Sequence, residues 1–166
     1  MTNRTRIFLR YLFVVLLGVF LHFAYQLSGE NPIVGLFASV NESVWEHLKL
    51  LFFPMLILTI WDTFVTHRNN FCFFPARTIG ILAGLIFIIV VFYTISGIIG
   101  MDIAFINILI YLFSAAFAFW IEKKQCRKRL PLSAALSIGI LILFTILFII
   151  FTIAPPALGI FTPIAA

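Results

Sequence analysis

Charge is the scarcest commodity in this 166-residue chain: 11 Lys and Arg and 6 Asp and Glu amount to 10% of residues, while 63% are hydrophobic. A soluble globular domain carries about 25% charged residues and about 45–50% apolar ones. No solvated surface can be built from this composition, which excludes a soluble enzyme and a free nucleic-acid binder. Disorder is excluded as well, because 21 Phe and long Ile and Leu runs are the reverse of a low-hydrophobicity chain. Cysteine is scarce too, with two in all. Two isolated thiols make no metal motif, and both Cys72 and Cys126 fall in loops expected to face the reducing cytoplasm, where they should stay free. Also missing are H-E-x-x-H, H-x-x-E-H, G-x-S-x-G and any phosphate-cradling glycine loop.

Long apolar runs are abundant. A bilayer-spanning helix needs about 20 predominantly apolar residues. The sequence offers five such stretches, at about 7–27, 41–66, 77–98, 102–121 and 132–154, separated by polar or turn-forming breaks. Uninterrupted runs without alternation require helices rather than a barrel. The expected fold is an all-α integral membrane protein, a single domain over 1–166 forming a five-helix transmembrane bundle in the cell membrane. The first run has no small-x-small cleavage site behind it, so an uncleaved anchor is expected.

The bases orient the bundle. Arg4, Arg6, Arg10, Arg68, Arg77, Lys123, Lys124, Arg127, Lys128 and Arg129 all fall on one side of a five-span arrangement, and Lys49 alone falls toward the other. The positive-inside rule then places the N-terminus in the cytoplasm and the C-terminus outside. The basic loop at 123–129 reads as topogenic and headgroup-contacting, so the partner it implies is the lipid bilayer and not nucleic acid.

Polar residues near spans are informative because each is expensive there unless paired or hydrated. They gather on the outer side in three groups: His22, Tyr25 and Gln26; Glu42, Trp45, Glu46, His47 and Lys49; and Asp102, Asn107 and Tyr111. Gly18, His22 and Gln26 share a helix face at i, i+4, i+8, and the glycine admits a close neighbour. With Asn41 or Ser39 as cap, the second helix starts at about residue 41 and runs about 39 Å. Its first turns then lie at headgroup level, and Pro54 interrupts it.

These stripes predict an outward-facing polar pocket. Glu46 and His22 are its expected centre, as acid–base pair or as ligands for a divalent metal such as zinc. Glu42, His47, Trp45, Tyr25, Gln26, Lys49, Asn107 and Tyr111 are expected around them. The reading adopted is a structural or binding role for this pocket, with activity left open. A membrane-embedded metal-dependent or acid–base enzyme is one alternative, and a small-solute transporter or transporter subunit is another, although five spans show no inverted repeat. Asp62 is expected to pair with Arg68 or Arg77. The faces Ala76-Gly80-Gly84, Ser133-Ser137 and Ala135-Gly139 are packing surfaces that could also support a homo-oligomer. The tail from 155 to 166 is expected on the outer interface or over the pocket.

The stretch His22-Phe23-Ala24-Tyr25, Ser28-Gly29-Glu30-Asn31, Gly35-Leu36-Phe37 and Val40-Asn41-Glu42-Ser43-Val44-Trp45-Glu46-His47-Leu48-Lys49, followed by Pro54, resembles the signature of a family of small, uncharacterised multi-span bacterial membrane proteins found in Gram-positive genomes such as those of clostridia. The resemblance covers about the first third of the chain and implies no activity. It does imply that the pocket residues belong to the family's motif.

Overall fold

A computed structural model describes residues 3–64, 72–101, 103–125 and 132–163. Arg68, Asp102, Cys126, Arg127, Lys128 and Arg129 lie outside them, as does the end of the tail. The described chain is helical: α1 (Asn3–Leu27), α2 (Pro32–Gly35), α3 (Val44–Phe64), α4 (Phe73–Ile99), α5 (Ala104–Gln125) and α6 (Ala134–Ile153), with a 3-10 turn at Gly159–Phe161. All but α2 are long and apolar enough to cross a membrane. Their outward faces carry Phe8, Phe20, Phe23, Ile60, Ile86, Phe113 and Ile142, which suits contact with lipid.

The central helix is α3. Most of its residues are buried, and it packs on α1, α4 and α6. Val14, Leu51, Phe52, Met55, Ile81, Ala115 and Phe148 fill the core without any exposure. The closest pairing is α4 with α5, where a Cβ built on Gly80 would lie 2.7 Å from the Ala118 carbonyl and one on Gly84 would lie 3.1 Å from the Ala118 Cβ. The Gly80–Gly84 face is therefore used within the chain.

The α3 helix begins three residues later than its sequence suggests. Asn41 does not cap it; its Oδ1 accepts from the Ser43 amide at 2.9 Å, forming a turn ahead of the helix. The Ser43 carbonyl then accepts from His47 N, and Ser43 Oγ faces Glu46 N at 3.4 Å. Ser43 thereby occupies the cap position, and Glu42 is off the helix in a strap over 36–43.

One end of the bundle holds the start of α1 and the end of α5; the other holds His22 and α2. At the first, the basic end, a charged network ties four helices together. Arg10 Nη2 lies 2.6 Å from Asp62 Oδ1, and Arg77 Nη2 lies 2.8 Å from Asp62 Oδ2. Arg77 Nη2 also donates to Glu122 Oε1 at 3.2 Å, while its Nε stands 2.9 Å from Oε2. The expected partner Arg77 is confirmed, and Arg10 and Glu122 are additions. Position 10 well inside the first apolar run was the available signal, since an arginine there needs a counter-charge. Cys72, expected as a free thiol, is disulfide-bonded.

Candidate metal site at the His22 end

Three ligand-type side chains converge at the His22 end. His22 projects from the last turns of α1, His47 from the first turn of α3, and Glu42 from the strap. One ligand atom from each lies within 4.8 Å of the others. The His47 Nε2 to Glu42 Oε2 distance is 3.3 Å, that from His22 Nε2 to Glu42 Oε1 is 3.9 Å, and the two imidazole centroids are 5.4 Å apart.

Local chemistry sets how each group presents itself. His47 Nδ1 lies 2.9 Å from the Ser43 carbonyl, which can only accept, so Nδ1 carries a hydrogen and Nε2 is the ring nitrogen turned to the cluster. This is the backbone-carbonyl support that orients metal-ligating histidines. His22 has no such support: its Nδ1 is buried without a hydrogen-bond partner among the described residues, and its Nε2 is beyond hydrogen-bond reach of Glu42. Glu42 is the exposed member, with 62% of its side chain accessible.

Beneath the cluster lies a cavity of about 40 Å³ bounded by Glu42, His47, Asn107 and Tyr111, with Leu50, Ile88, Phe92 and Ile110 as apolar walls. Tyr111 forms its floor. Its hydroxyl donates to the Val14 carbonyl at 2.9 Å and stands 3.3 Å from the Leu50 carbonyl. Leu50 is four residues before Pro54, which has no N–H to offer it. Tyr111 thus places its one hydrogen between the Val14 carbonyl and the acceptor that the proline leaves open. It can approach because residue 18 is glycine; a Cβ there would fall 1.9 Å from the Tyr111 oxygen.

The other expected pocket residues separate into distinct places. Glu46, expected at the centre with His22, is buried in an ion pair with Lys49 at 2.6 Å. It also accepts from Val40 N at 2.9 Å, while Lys49 donates to the Gly35 carbonyl at 2.8 Å and to Thr152 Oγ1 at 3.0 Å. Trp45 packs against Phe148, Phe151 and Phe161, so the tail turn covers the tryptophan and not the cavity. Tyr25 lines a wide groove of about 410 Å³ with Pro32, Ile33, Val40 and Thr152. Gln26 is exposed at the end of α1. His22, Glu42, His47, Asn107 and Tyr111 are the ones brought together.

Over residues 2–165 the chain matches a family of unknown function (DUF6512). It belongs to that family. The match takes in nearly the whole chain, well beyond the first third that carries the motif. No curated protein and no solved structure matches it.

Proposed function

We propose that this protein is a multi-pass membrane protein that binds a divalent metal ion of the zinc class through His22, Glu42 and His47. In this reading the basic end faces the cytoplasm, the His22 end faces outside, and the protein resides in a bacterial cell membrane. Two imidazoles and one carboxylate are the donor types that zinc favours, and three protein ligands with an open position typify zinc sites that act on something rather than merely hold a fold.

The carrying observation is the geometry of the three donors. A tetrahedral ion with bonds of about 2.0–2.1 Å keeps its ligand atoms about 3.3–3.4 Å apart. The His47–Glu42 separation of 3.3 Å equals that edge, while His22 Nε2 approaches the other Glu42 oxygen at 3.9 Å; with one ligand atom from each residue the set lies within 4.8 Å and draws together around the ion. A cation between them would engage His22 Nε2, which is beyond hydrogen-bond reach of Glu42. The cavity beside Glu42 and His47 has room for water or a small ligand at a fourth position. It favours, as a second reading, a metal-dependent enzyme over a purely structural ion. Transport has less support: the cavity's walls are Leu50, Ile88, Phe92 and Ile110, and the Tyr111 hydroxyl is held by backbone carbonyls.

The test is metal content and affinity in tag-free, detergent-purified protein. After chelation, one zinc per chain is expected to rebind. Glu42→Gln and His47→Ala should each weaken binding on the order of 100-fold, at or above the top of the 10–100-fold range for loss of an outer partner. Binding should also fade as pH falls, because protons compete with the metal for the imidazole lone pairs. Absence of stoichiometric metal, or full retention in both variants, refutes the proposal.

A further inference from the structure

We infer that the buried Glu46–Lys49 pair is the positioning device for Glu42, and through it governs the strength of the metal site; this rests on the metal-site reading above. His22 and His47 are held by helices. Glu42 is not, so its place depends on what fixes the strap over 36–43.

Glu46 and Lys49 grip that strap by its backbone. Lys49 Nζ donates to the Gly35 carbonyl at the strap's beginning, and Glu46 Oε2 accepts from the Val40 amide near its end. Val40 is two residues from Glu42, a span of no more than about 7 Å of chain, so a fixed Val40 leaves the carboxylate little room to wander. Inside the strap, Ser39 Oγ donates to the Asn41 carbonyl and Asn41 Oδ1 accepts from Ser43 N, which stiffens the remaining stretch.

The burial of the pair gives the assignment its force. Glu46 is 2% exposed and Lys49 0%. A buried ion pair is a poor way to stabilise a helix compared with packed apolar side chains. Apolar residues, however, cannot hold one amide and one carbonyl five residues apart. The clamp also reaches α6: Lys49 donates to Thr152 Oγ1, whose own hydrogen goes to the Phe148 carbonyl at 2.8 Å.

Full-length protein in detergent, loaded with Co²⁺, tests this through the visible absorption of the ion, which reports the ligands around it. The double variant Glu46→Leu/Lys49→Met removes both charges together with both backbone grips. It is expected to bind Co²⁺ about tenfold or more weakly, the range of an outer-partner loss, with the spectrum of Glu42→Ala. Adding Glu42→Ala to it should change little further. Leu51→Ala, a core lesion, should lower the melting temperature and leave the spectrum alone. Should the double variant fail to fold, Val40→Pro removes the N–H that Glu46 accepts while leaving the ion pair in place, and should give the same spectral change. A wild-type spectrum and affinity in the clamp variants, or losses that add to that of Glu42→Ala, overturns the inference while the metal site stands. No Co²⁺ binding by the unsubstituted protein overturns both.

Discussion

Tyr111, Gly18 and Pro54 show how one residue's defect becomes another's function. Proline in the middle of α3 deprives the Leu50 carbonyl of its helical donor, and a hydroxyl from α5, its one hydrogen shared with the Val14 carbonyl, partly fills that place through a gap that only glycine leaves. Tyr111→Phe is expected to destabilise the protein by about 1–3 kcal/mol, the range for a buried polar group left without a partner. In a Pro54→Ala background the Leu50 carbonyl recovers its own N–H, so the same change should cost less. Equal losses in both backgrounds, measured by reversible unfolding in detergent, contradict this account. Gly18→Ala should destabilise by about 1–3 kcal/mol through overpacking, and should weaken zinc binding as well by forcing α1 away from α3.

At the scale of elements, the start of α3 matters most. The pattern Asn41-Glu42 reads well as a cap followed by an acid in the first turn, which would put Glu42 and Glu46 on one face at i, i+4. The competing Asn41 side chain turn moves the cap to Ser43. Glu42 is then released to meet two histidines, while Glu46 turns inward to Lys49. Both local options satisfy the same rules for capping, so spacing alone could not choose between them. The opposite end offers a cleaner test of element-level electrostatics. Arg77 and Asp62 are almost wholly buried and join α3 to α4, with Arg10 and Glu122 bringing in α1 and α5. Arg77→Met leaves the buried Asp62 and the partly buried Glu122 with less than their full counter-charge and should cost about 3–5 kcal/mol. Lys123→Ala, on the exposed last turn of α5, should stay within about 0.5 kcal/mol. Comparable losses in the two variants would refute a special role for the network.

For the molecule as a whole, the proposed membrane reading commits to one orientation. Bases crowd the end that holds the start of α1, and the positive-inside rule assigns that end to the cytoplasm. The disulfide at Cys72 lies at the same end, and such bonds are uncommon in a reducing compartment. Single-cysteine reporters in a Cys72→Ser/Cys126→Ser background separate the two signals. A cysteine at Leu158 is expected to react with a membrane-impermeant maleimide in intact cells, and one at Lys123 only after lysis. The reverse pattern would mean that oxidation chemistry, not charge, had reported the orientation.

The five long helices were legible because lipid imposes a one-dimensional rule: about 20 apolar residues must run unbroken wherever a helix crosses. Membership of the polar set was legible for the same reason, since His22, Glu42, Glu46, His47, Lys49 and Tyr111 stand out against so apolar a background. Which of these meet was not. Partnership depends on a three-residue choice at the cap of α3, on a strap whose path is held by long-range contacts to Gly35 and Val40, and on α6 supplying Thr152 to the ion pair from more than a hundred residues away. Those are properties of packed helices in three dimensions. Composition and period carry information along the chain, whereas the distance between His22 and Glu42 is set by the packing of α1 against α3 together with the path of the strap that carries Glu42.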